Sequence, residues 1–571
     1  MEMNDFVVRF AGEGGQGVVT SAEGMAQAAT QVGYHALTYA TFPSQILGGP
    51  TWTQARISDE PVLSAGDYVD VLVAFNREAY DTHSDEVKED GVIIYNSDDF
   101  QLDGEDRSFG LPIEELARST GNTRAANMVV IGALAQLIDM PQGYLDEFVE
   151  KRFRRGREGD DEIIQSNIQA MLLGRTHTSE SGFTLGKLVD PNMPQYQQIM
   201  VKGNEALALG ARAAGLEFYI GYPISPATTI LIWMEHNLIG DGKFAYQVSS
   251  EIESITGLLG AGFAGKKAMT ATAGPGFSLM SEGLGLAWMA EIPLVVVDVQ
   301  RGGPATGLPT KTEQSDLMAC MYPAHGDVKM PVIAVGTVEE AFFGAIKALN
   351  WAERYQGPVI LMTEMSLAER VQNIEKPDLT QIHVERRQTY QGNNGYNRYS
   401  GHELSPMPIP GSPGSYVANG SEHDEMGDTT HLPSRHIQMT ERRFSKLKLL
   451  EEDDYESDNT QESIALLPWG GSKGPSLEAY NALRQNGIPL SWYYTMFLNP
   501  LPPSLLNELK QKRLVIVPEL NYQGQFSGIL RAEGVNAKSI TQYTGLPFKV
   551  SDLIDQITAM VQIGQKETVG A

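Results

Sequence analysis

Cysteine is the scarcest residue of this chain: there is one, Cys320, in 571 residues. A single thiol can form no intrachain disulfide, no paired-cysteine zinc site and no four-thiolate iron–sulfur cluster. Its expected role is that of a small buried hydrophobe, and a chain without disulfides suits the cytoplasm. Positive charge is also short. Against 71 Asp and Glu stand 43 Lys and Arg, leaving a formal charge of −28. That balance speaks against nucleic acid as a partner. Long apolar runs are missing too. No stretch approaches the roughly 18 to 20 residues that span a bilayer, so no membrane segment is expected, and MEMNDFVVRF has neither the basic nor the apolar part of a secretory leader.

The length suits about three to five domains. Residues 1–184 alternate strand patterns (DFVVRF, VDVLVAF, GVIIYN) with helix patterns (SAEGMAQAATQVG, AANMVVIGALAQLI), which predicts an α/β sheet domain. The charged stretch KRFRRGREGDDEIIQ reads as an exposed helix with its entry turn. THTSESGFTLGKLVDPNMPQ reads as polar linker, with the boundary segment at 185–195. A second α/β domain is expected over 196–383, with strands EFYIGY, KAMTATA, PLVVVDV, PVIAVG and PVILMTEM; apolar on both faces, PLVVVDV suits a parallel sheet covered by helices. Residues 384–462, rich in Gly, Pro, Asn and Ser, form a connector. A small α/β unit over 463–571 closes the chain, with strands SIALLPWG, PLSWYYT and RLVIVPEL. The fold class is multidomain α/β.

Gly12-Glu13-Gly14-Gly15-Gln16-Gly17 follows a strand, precedes a helix and satisfies G-x-G-x-x-G. Glycines there let backbone amides approach a diphosphate at a helix N-terminus. A nicotinamide dinucleotide also needs an acidic residue about 20 positions on, and HALTYATF supplies none. Another phosphate-bearing ligand and a purely structural turn stay open. FPSQILGGP, residues 42–50, either lines the same site or merely connects strands.

Three strand-end loops of the second domain bear chemistry. Gly221-Tyr222-Pro223-Ile224-Ser225-Pro226 is stiffened by two prolines and offers a hydroxyl at a sheet edge, where open α/β folds bind ligands; a stiff helix-capping turn is the plainer reading. Ser249-Ser250-Glu251 opens a helix, where Glu251 either pairs with the helix dipole, worth roughly 0.3–1 kcal/mol, or meets a ligand nitrogen. Glu253 points to another side and reads as structural. Arg301 leads into glycines and two threonines, Thr306 and Thr310, a setting for a bidentate guanidinium–carboxylate pair or a surface salt bridge. The turn Ala273-Gly274-Pro275-Gly276 leaves room for a ring or backbone nearby.

GYPISP, the Ser-Glu helix start, TATAGPGFSLMSEGLGLA and RGGPATGLPTKTEQSDL, in this order, resemble the α subunits of 2-oxoacid:ferredoxin oxidoreductases. The GEGGQG domain is similar to the family's γ domain, here fused ahead of α, and VIVPELNYQGQ, with Glu519 and Asn521, resembles its C-terminal transketolase-like domain. The resemblance implies a thiamine-diphosphate-binding parallel sheet. Glu251 would hydrogen-bond the aminopyrimidine, favouring the imino form whose nitrogen can take the thiazolium C2 proton, with Tyr222 and Pro223 beside that ring. Arg301, Ser225, Thr306 and Thr310 would hold the 2-oxoacid carboxylate. Ser225 departs from the family's usual Thr, keeping the hydroxyl but losing a methyl. Gly12, Gly14, Gly15, Gln16 and Gly17 would meet coenzyme A.

The family binds the diphosphate through Mg²⁺ at G-D-G followed downstream by Asn. Gly240-Asp241-Gly242 is present, but GKKAMTA lacks the Asn, so the match is read as accidental. Magnesium and a [4Fe-4S] cluster are therefore expected on a β subunit, in an (αβ)2 assembly that serves ferredoxin. The implied reaction turns a 2-oxoacid and coenzyme A into acyl-CoA and CO2, or runs in reverse to fix CO2. The fused γ–α layout favours 2-oxoglutarate and succinyl-CoA, with pyruvate and branched-chain 2-oxoacids as alternatives. An NAD(P)-dependent dehydrogenase and a non-catalytic assembly subunit are the readings from other classes.

Overall fold

A computed structural model describes residues 2–43, 49–102, 104, 106–191, 196–393, 396–401, 404–414 and 416–569. The chain divides into two units, Met1–Val201 with Arg370–Lys376, and Lys202–Glu369 with Pro377–Ala571.

The first unit is built on an eight-stranded mixed sheet. Strand Asp5–Glu13 lies at its centre, parallel to Val69–Ala74 on one side and antiparallel to Pro50–Ser58 on the other. Its alternation sorts the core. Phe6, Val8 and Phe10 face the helices Val18–Thr30 and Ala126–Leu137, while Val7 and Ala11 join Leu72, Ala74 and Ile93 on the opposite face. Helix Ala126–Leu137 lies against Asp160–Ser181 at two glycines. A Cβ on Gly132 would run into the Met171 carbonyl, and one on Gly174 into that of Val129.

KRFRRGREGDDEIIQ is two helix ends rather than one helix. Helix Gln142–Phe153 stops, and a new one starts at Asp160 behind Gly156 and Gly159, both at positive φ. The Asp160 carboxylate caps the break, accepting from the Arg155 and Arg157 amides at 2.7 and 3.0 Å. That second helix continues through Ser181, so all of THTSES is helical and not linker. Strand Val371–Glu375, deep in the segment assigned to the second domain, pairs antiparallel with His35–Thr41 in the first unit's sheet.

The second unit holds a seven-stranded and a five-stranded sheet. Across the first run Phe244–Gln247, Phe218–Gly221, Ala268–Thr272, Leu294–Gln300, Pro358–Glu364 and Val332–Ala334, all parallel, then Phe497–Asn499, antiparallel. Every residue of Leu294–Gln300 is buried, as a central strand requires. The second sheet carries Ile464–Leu466, Ser491–Tyr494, Leu514–Glu519 and Ala537–Thr541 in parallel, with Glu456–Asp458 antiparallel at its edge.

The region read as a connector contains the helix Pro433–Ser445. It is held by a buried charge cluster: Glu291 meets Arg442 Nε at 2.8 Å, Lys446 Nζ at 2.8 Å and Arg398 Nη1 at 3.7 Å. The three cations hold the Glu291 carboxyl far below the usual range against the opposing effect of its burial.

Candidate active site

Parallel strands deliver the candidate residues to one edge of the seven-stranded sheet, because each loop follows the carboxyl end of its strand. Helix Glu251–Phe263 is capped by Ser250, whose hydroxyl accepts from the Glu253 amide at 3.2 Å. Glu253 is exposed and spent on that cap, accepting from the Ser249 amide and hydroxyl at 2.9 and 2.7 Å. Glu251 differs. It is 5% exposed and forms no hydrogen bond through its carboxylate among the described residues, although it sits in the first helical turn. A buried acceptor without a donor is costly unless a ligand supplies one. Gly276, in the helix Gly274–Leu279, makes the room: a Cβ there would overlap the Thr272 hydroxyl and Glu251 Oε1.

Arg301 follows strand Leu294–Gln300 and is buried. Its Nη1 donates to the Ser225 carbonyl at 2.7 Å and its Nη2 to the Thr306 carbonyl at 3.4 Å. The guanidinium therefore gathers Ser225 and Thr306 through their backbones, with their hydroxyls left out of these bonds. Its Nε is enclosed and has no acceptor among the described residues, and each Nη keeps a second hydrogen outside these two bonds. Burial lowers the Arg301 pKa and Asp316 opposes the shift. Thr310 lies further along the same loop, half-buried, while Tyr222 and Ser225 are exposed and Pro223 is half-buried.

The sequence reading missed what anchors this loop. Gln314 donates through its side chain to the Trp469 carbonyl at 2.8 Å and accepts there from the Leu520 amide at 2.9 Å, while its backbone amide donates to the Leu520 carbonyl and its carbonyl accepts from the Asn521 side-chain amide at 3.1 Å. Gln525 donates to the Ser315 carbonyl at 2.7 Å. VIVPELNYQGQ is thus a socket for TKTEQSD. Glu519 is consumed inside the socket by the Phe526 and Ser527 amides at 2.8 and 3.0 Å. A lone Gln among charged neighbours has no periodicity by which it could have been singled out.

In the first unit the glycine turn divides by role. Gln16 folds back, its side-chain oxygen accepting from the Glu13 amide at 2.7 Å and Asn76 at 3.2 Å. Gly12 lies against Gln16 and Phe75, and Gly17, at φ 86°, against Asn127. Among the described residues nothing lies within 4 Å of a Cβ built on Gly14 or Gly15, and the following helix has no side-chain cap. Of residues 42–50, the stretch 44–48 lies outside the described residues. Gly240 and Gly242 turn at positive φ in an exposed connection. Among the described residues no group of three or more His, Cys, Asp or Glu is placed to hold a metal ion, and no helix is long and apolar enough to cross a membrane.

Open sheets with charged groups gathered past the strand ends define an α/β ligand-binding protein. The family described as pyruvate flavodoxin/ferredoxin oxidoreductase, thiamine diP-bdg, matches residues 209–442, and pyruvate ferredoxin/flavodoxin oxidoreductase matches residues 7–177. The 2-oxoglutarate oxidoreductase subunit KorA of Mycobacterium tuberculosis is 30% identical, over 96% of this chain and 91% of that protein. Subunit alpha of 2-oxoacid:ferredoxin oxidoreductase 2 from Aeropyrum pernix is 28% identical, over 99% of each. A solved structure, 2-oxoglutarate:ferredoxin oxidoreductase from Magnetococcus marinus with 2-oxoglutarate, coenzyme A and succinyl-CoA bound, superposes with a TM-score of 0.92 at 36% identity, covering 98% of this chain and all of that one. The chain belongs to the 2-oxoacid:ferredoxin oxidoreductase α subunits.

Proposed function

We propose that this chain is the α subunit of a coenzyme A-dependent 2-oxoglutarate:ferredoxin oxidoreductase that works with a β subunit in the cytoplasm. 2-Oxoglutarate and coenzyme A become succinyl-CoA and CO2, and two electrons pass to ferredoxin. The observation that carries the reading is full-length similarity to a protein solved with 2-oxoglutarate, coenzyme A and succinyl-CoA bound, joined to a buried Glu251 whose carboxylate has no hydrogen-bond partner among the described residues.

Those residues fit thiamine diphosphate. Bound there, the cofactor would supply the electron sink for decarboxylation. Glu251 would accept a hydrogen bond from a ring nitrogen of the aminopyrimidine and hold its proton balance, with Gly276 keeping the carboxylate in place and Tyr222 and Pro223 beside the ring. Arg301, fixed by the Ser225 and Thr306 carbonyls, would turn its remaining donors to the 2-oxoacid carboxylate, with the Ser225, Thr306 and Thr310 hydroxyls around it. Gly14 and Gly15 would meet coenzyme A phosphates, with Gly12, Gln16 and Gly17 shaping the turn. One cysteine cannot hold an iron–sulfur cluster, so the β subunit would bring the cluster and the magnesium site, in an (αβ)2 assembly.

The test is reconstitution with the β subunit and a low-potential dye as acceptor. Coenzyme A-dependent reduction with 2-oxoglutarate, several-fold faster than with pyruvate, is expected. No reduction with any 2-oxoacid would overturn the proposal; faster reduction with pyruvate would overturn the substrate.

A further inference from the structure

Behind Arg301 lies a pair of carboxyl groups that the proposed chemistry leaves unused. Asp298, on the strand that ends at Arg301, is fully buried. Asp316, from the loop that Gln314 anchors, meets it. Asp298 Oδ1 and Asp316 Oδ2 are both enclosed, and neither accepts a hydrogen bond from a donor among the described residues. The two carboxyl groups are in side-chain contact, and a proton shared between them relieves the repulsion of carboxylates brought together where water has little access. Cys320 Sγ donates to Asp298 Oδ2 at 3.5 Å, and the Asp316 amide donates to Gln300 Oε1 at 3.2 Å. Gly274 is kept bare against Asp316, since a Cβ there would stand 2.7 Å from Oδ2. That glycine opens the short helix whose Gly276 touches Glu251.

We propose that Asp316, sharing a proton with Asp298, is a positioning residue that competes with the substrate carboxylate for Arg301, so that the pair sets how tightly the anionic 2-oxoacid is held as pH changes. The proposal rests on the reading of Arg301 as the carboxylate site. The charged and titratable groups that face Asp316 are Asp298, Glu313, Arg301 and, through Asp298, Cys320. Burial and Glu313 push Asp316 up to about 6 against the pull of Arg301, and burial with Asp316 pushes Asp298 far higher. Above pH 6 the pair therefore carries one proton and one negative charge beside Arg301. Below it the pair is neutral, and the whole guanidinium charge is available to substrate. Affinity for the anion rises as pH falls through about 6.

The experiment uses the reconstituted αβ enzyme and reads kcat and KM for 2-oxoglutarate from pH 5.5 to 8.5. In the wild type kcat/KM should rise toward the acid end through KM, with kcat little changed by this group. Asp316→Asn keeps the shape but has no charge to lose; its KM at pH 8 should drop about fivefold or more, the lower bound of a typical coupling, and lose the step near pH 6. Glu313→Gln, on the half-buried face of the loop, should move the step to lower pH without removing it, and it stands in if Asp316→Asn fails to fold. A step unchanged in Asp316→Asn, or in Glu313→Gln where that variant stands in, would overturn the proposal while leaving the enzyme's assignment intact. A wild type inactive with every 2-oxoacid would instead overturn the functional reading beneath it. As a readout apart from turnover, the infrared carbonyl band of a buried neutral carboxyl should be present in the wild type at pH 7 and lost in Asp298→Asn; its absence from the wild type would refute the shared proton.

Discussion

Replacing Gly276 by alanine tests the least conspicuous part of the site. The helix Gly274–Leu279 has ordinary backbone geometry at this position, so alanine costs nothing in φ and the effect is purely one of space. The new methyl would overlap the Thr272 hydroxyl and Glu251 Oε1, and it would stand 2.8 Å from Glu251 Cδ. Carbon atoms rest about 3.5 Å or more apart, so the carboxyl carbon must retreat by about 0.7 Å. Thr272 ends a buried central strand and has little freedom to yield, which leaves Glu251 as the group that moves. Overpacking of this kind costs about 1–3 kcal/mol in stability. Misplacing a catalytic group by about 1 Å costs on the order of a hundredfold in rate. The expected signature is a large fall in kcat with KM for the 2-oxoacid nearly unchanged, because Arg301 and its bonds to Ser225 and Thr306 lie elsewhere, and a modest fall in Tm. Gly14→Ala, where nothing among the described residues lies within 4 Å, is the control and should leave Tm unaltered. Wild-type kcat in Gly276→Ala would show that the exact place of the Glu251 carboxylate is irrelevant, and the reasoning would fail.

Glu251→Gln retains the volume and removes the charge; dye reduction should fall by at least two orders of magnitude with an unchanged Tm, and near-wild-type turnover would remove Glu251 from the chemistry. Arg301→Lys keeps a positive charge but cannot hold two carbonyls and a carboxylate at once, so KM for 2-oxoglutarate should rise at least tenfold; an equal KM would separate Arg301 from the substrate. Glu291→Gln breaks a buried cluster of three cations and should destabilise the second unit by about 3–5 kcal/mol, seen in urea unfolding. Because Glu291 is held far below its unfolded value of 4.5, its stabilisation is fully present above that pH and is lost as pH falls below it; the acid sensitivity of the wild type should be reduced in the variant. His83, half-buried beside Arg9, is lowered from 6.5 to about 4 by desolvation and by the Arg9 charge. The unfolded chain takes up its proton first as pH falls, so stability of the first unit should decline between about pH 6.5 and 4, and His83→Gln should flatten that decline in a melting series.

Strands that are apolar on both faces were legible at once. PLVVVDV forms the central strand its composition predicts, and PVILMTEM pairs with it as a fully buried strand, because a covered sheet buries every residue of such a run. The Ser-Glu helix start was legible through its cap. Long-range placement was not. Strand Val371–Glu375 carries too few residues to announce which sheet it joins, and its place depends on Asn373, which donates to the Tyr34 carbonyl at 3.4 Å and accepts from the Ala36 amide at 2.8 Å. Helix Pro433–Ser445 was hidden within the polar stretch read as connector, since its stability rests on charged residues, Arg442 and Arg443, that are buried. Composition cannot reveal that an arginine has a buried partner 151 residues away. The site divides in the same way. Glu251 and Arg301 stood out by type and position, whereas Asp298, Asp316, Gln314 and Gly276 act through neighbours distant in sequence.

Why residues 301–317 form so long and uninterrupted a motif follows from their two ends. At one end Arg301 is fixed by two carbonyls, from Ser225 and Thr306. At the other Gln314 bonds Trp469 and Leu520 while Gln525 holds Ser315. Between them the chain returns on itself, the Gly302 amide donating to the Lys311 carbonyl and the Leu308 amide to that of Gly302. Gly307 is bare because any Cβ would run into the Gly302 carbonyl. A recognition loop alone needs only a few fixed side chains. This one also joins the two sheets of the second unit and brings Asp316 against Asp298, so nearly every position has a second duty. Loosening the far anchor should therefore reach the substrate without touching it: Gln314→Ala leaves the Leu520 amide without its acceptor, frees the loop that positions Asp316, and should raise KM for 2-oxoglutarate although Gln314 lies on the C-terminal socket. If KM stays constant while Tm falls, the loop is clamped for stability alone and the coupling between its ends does not exist.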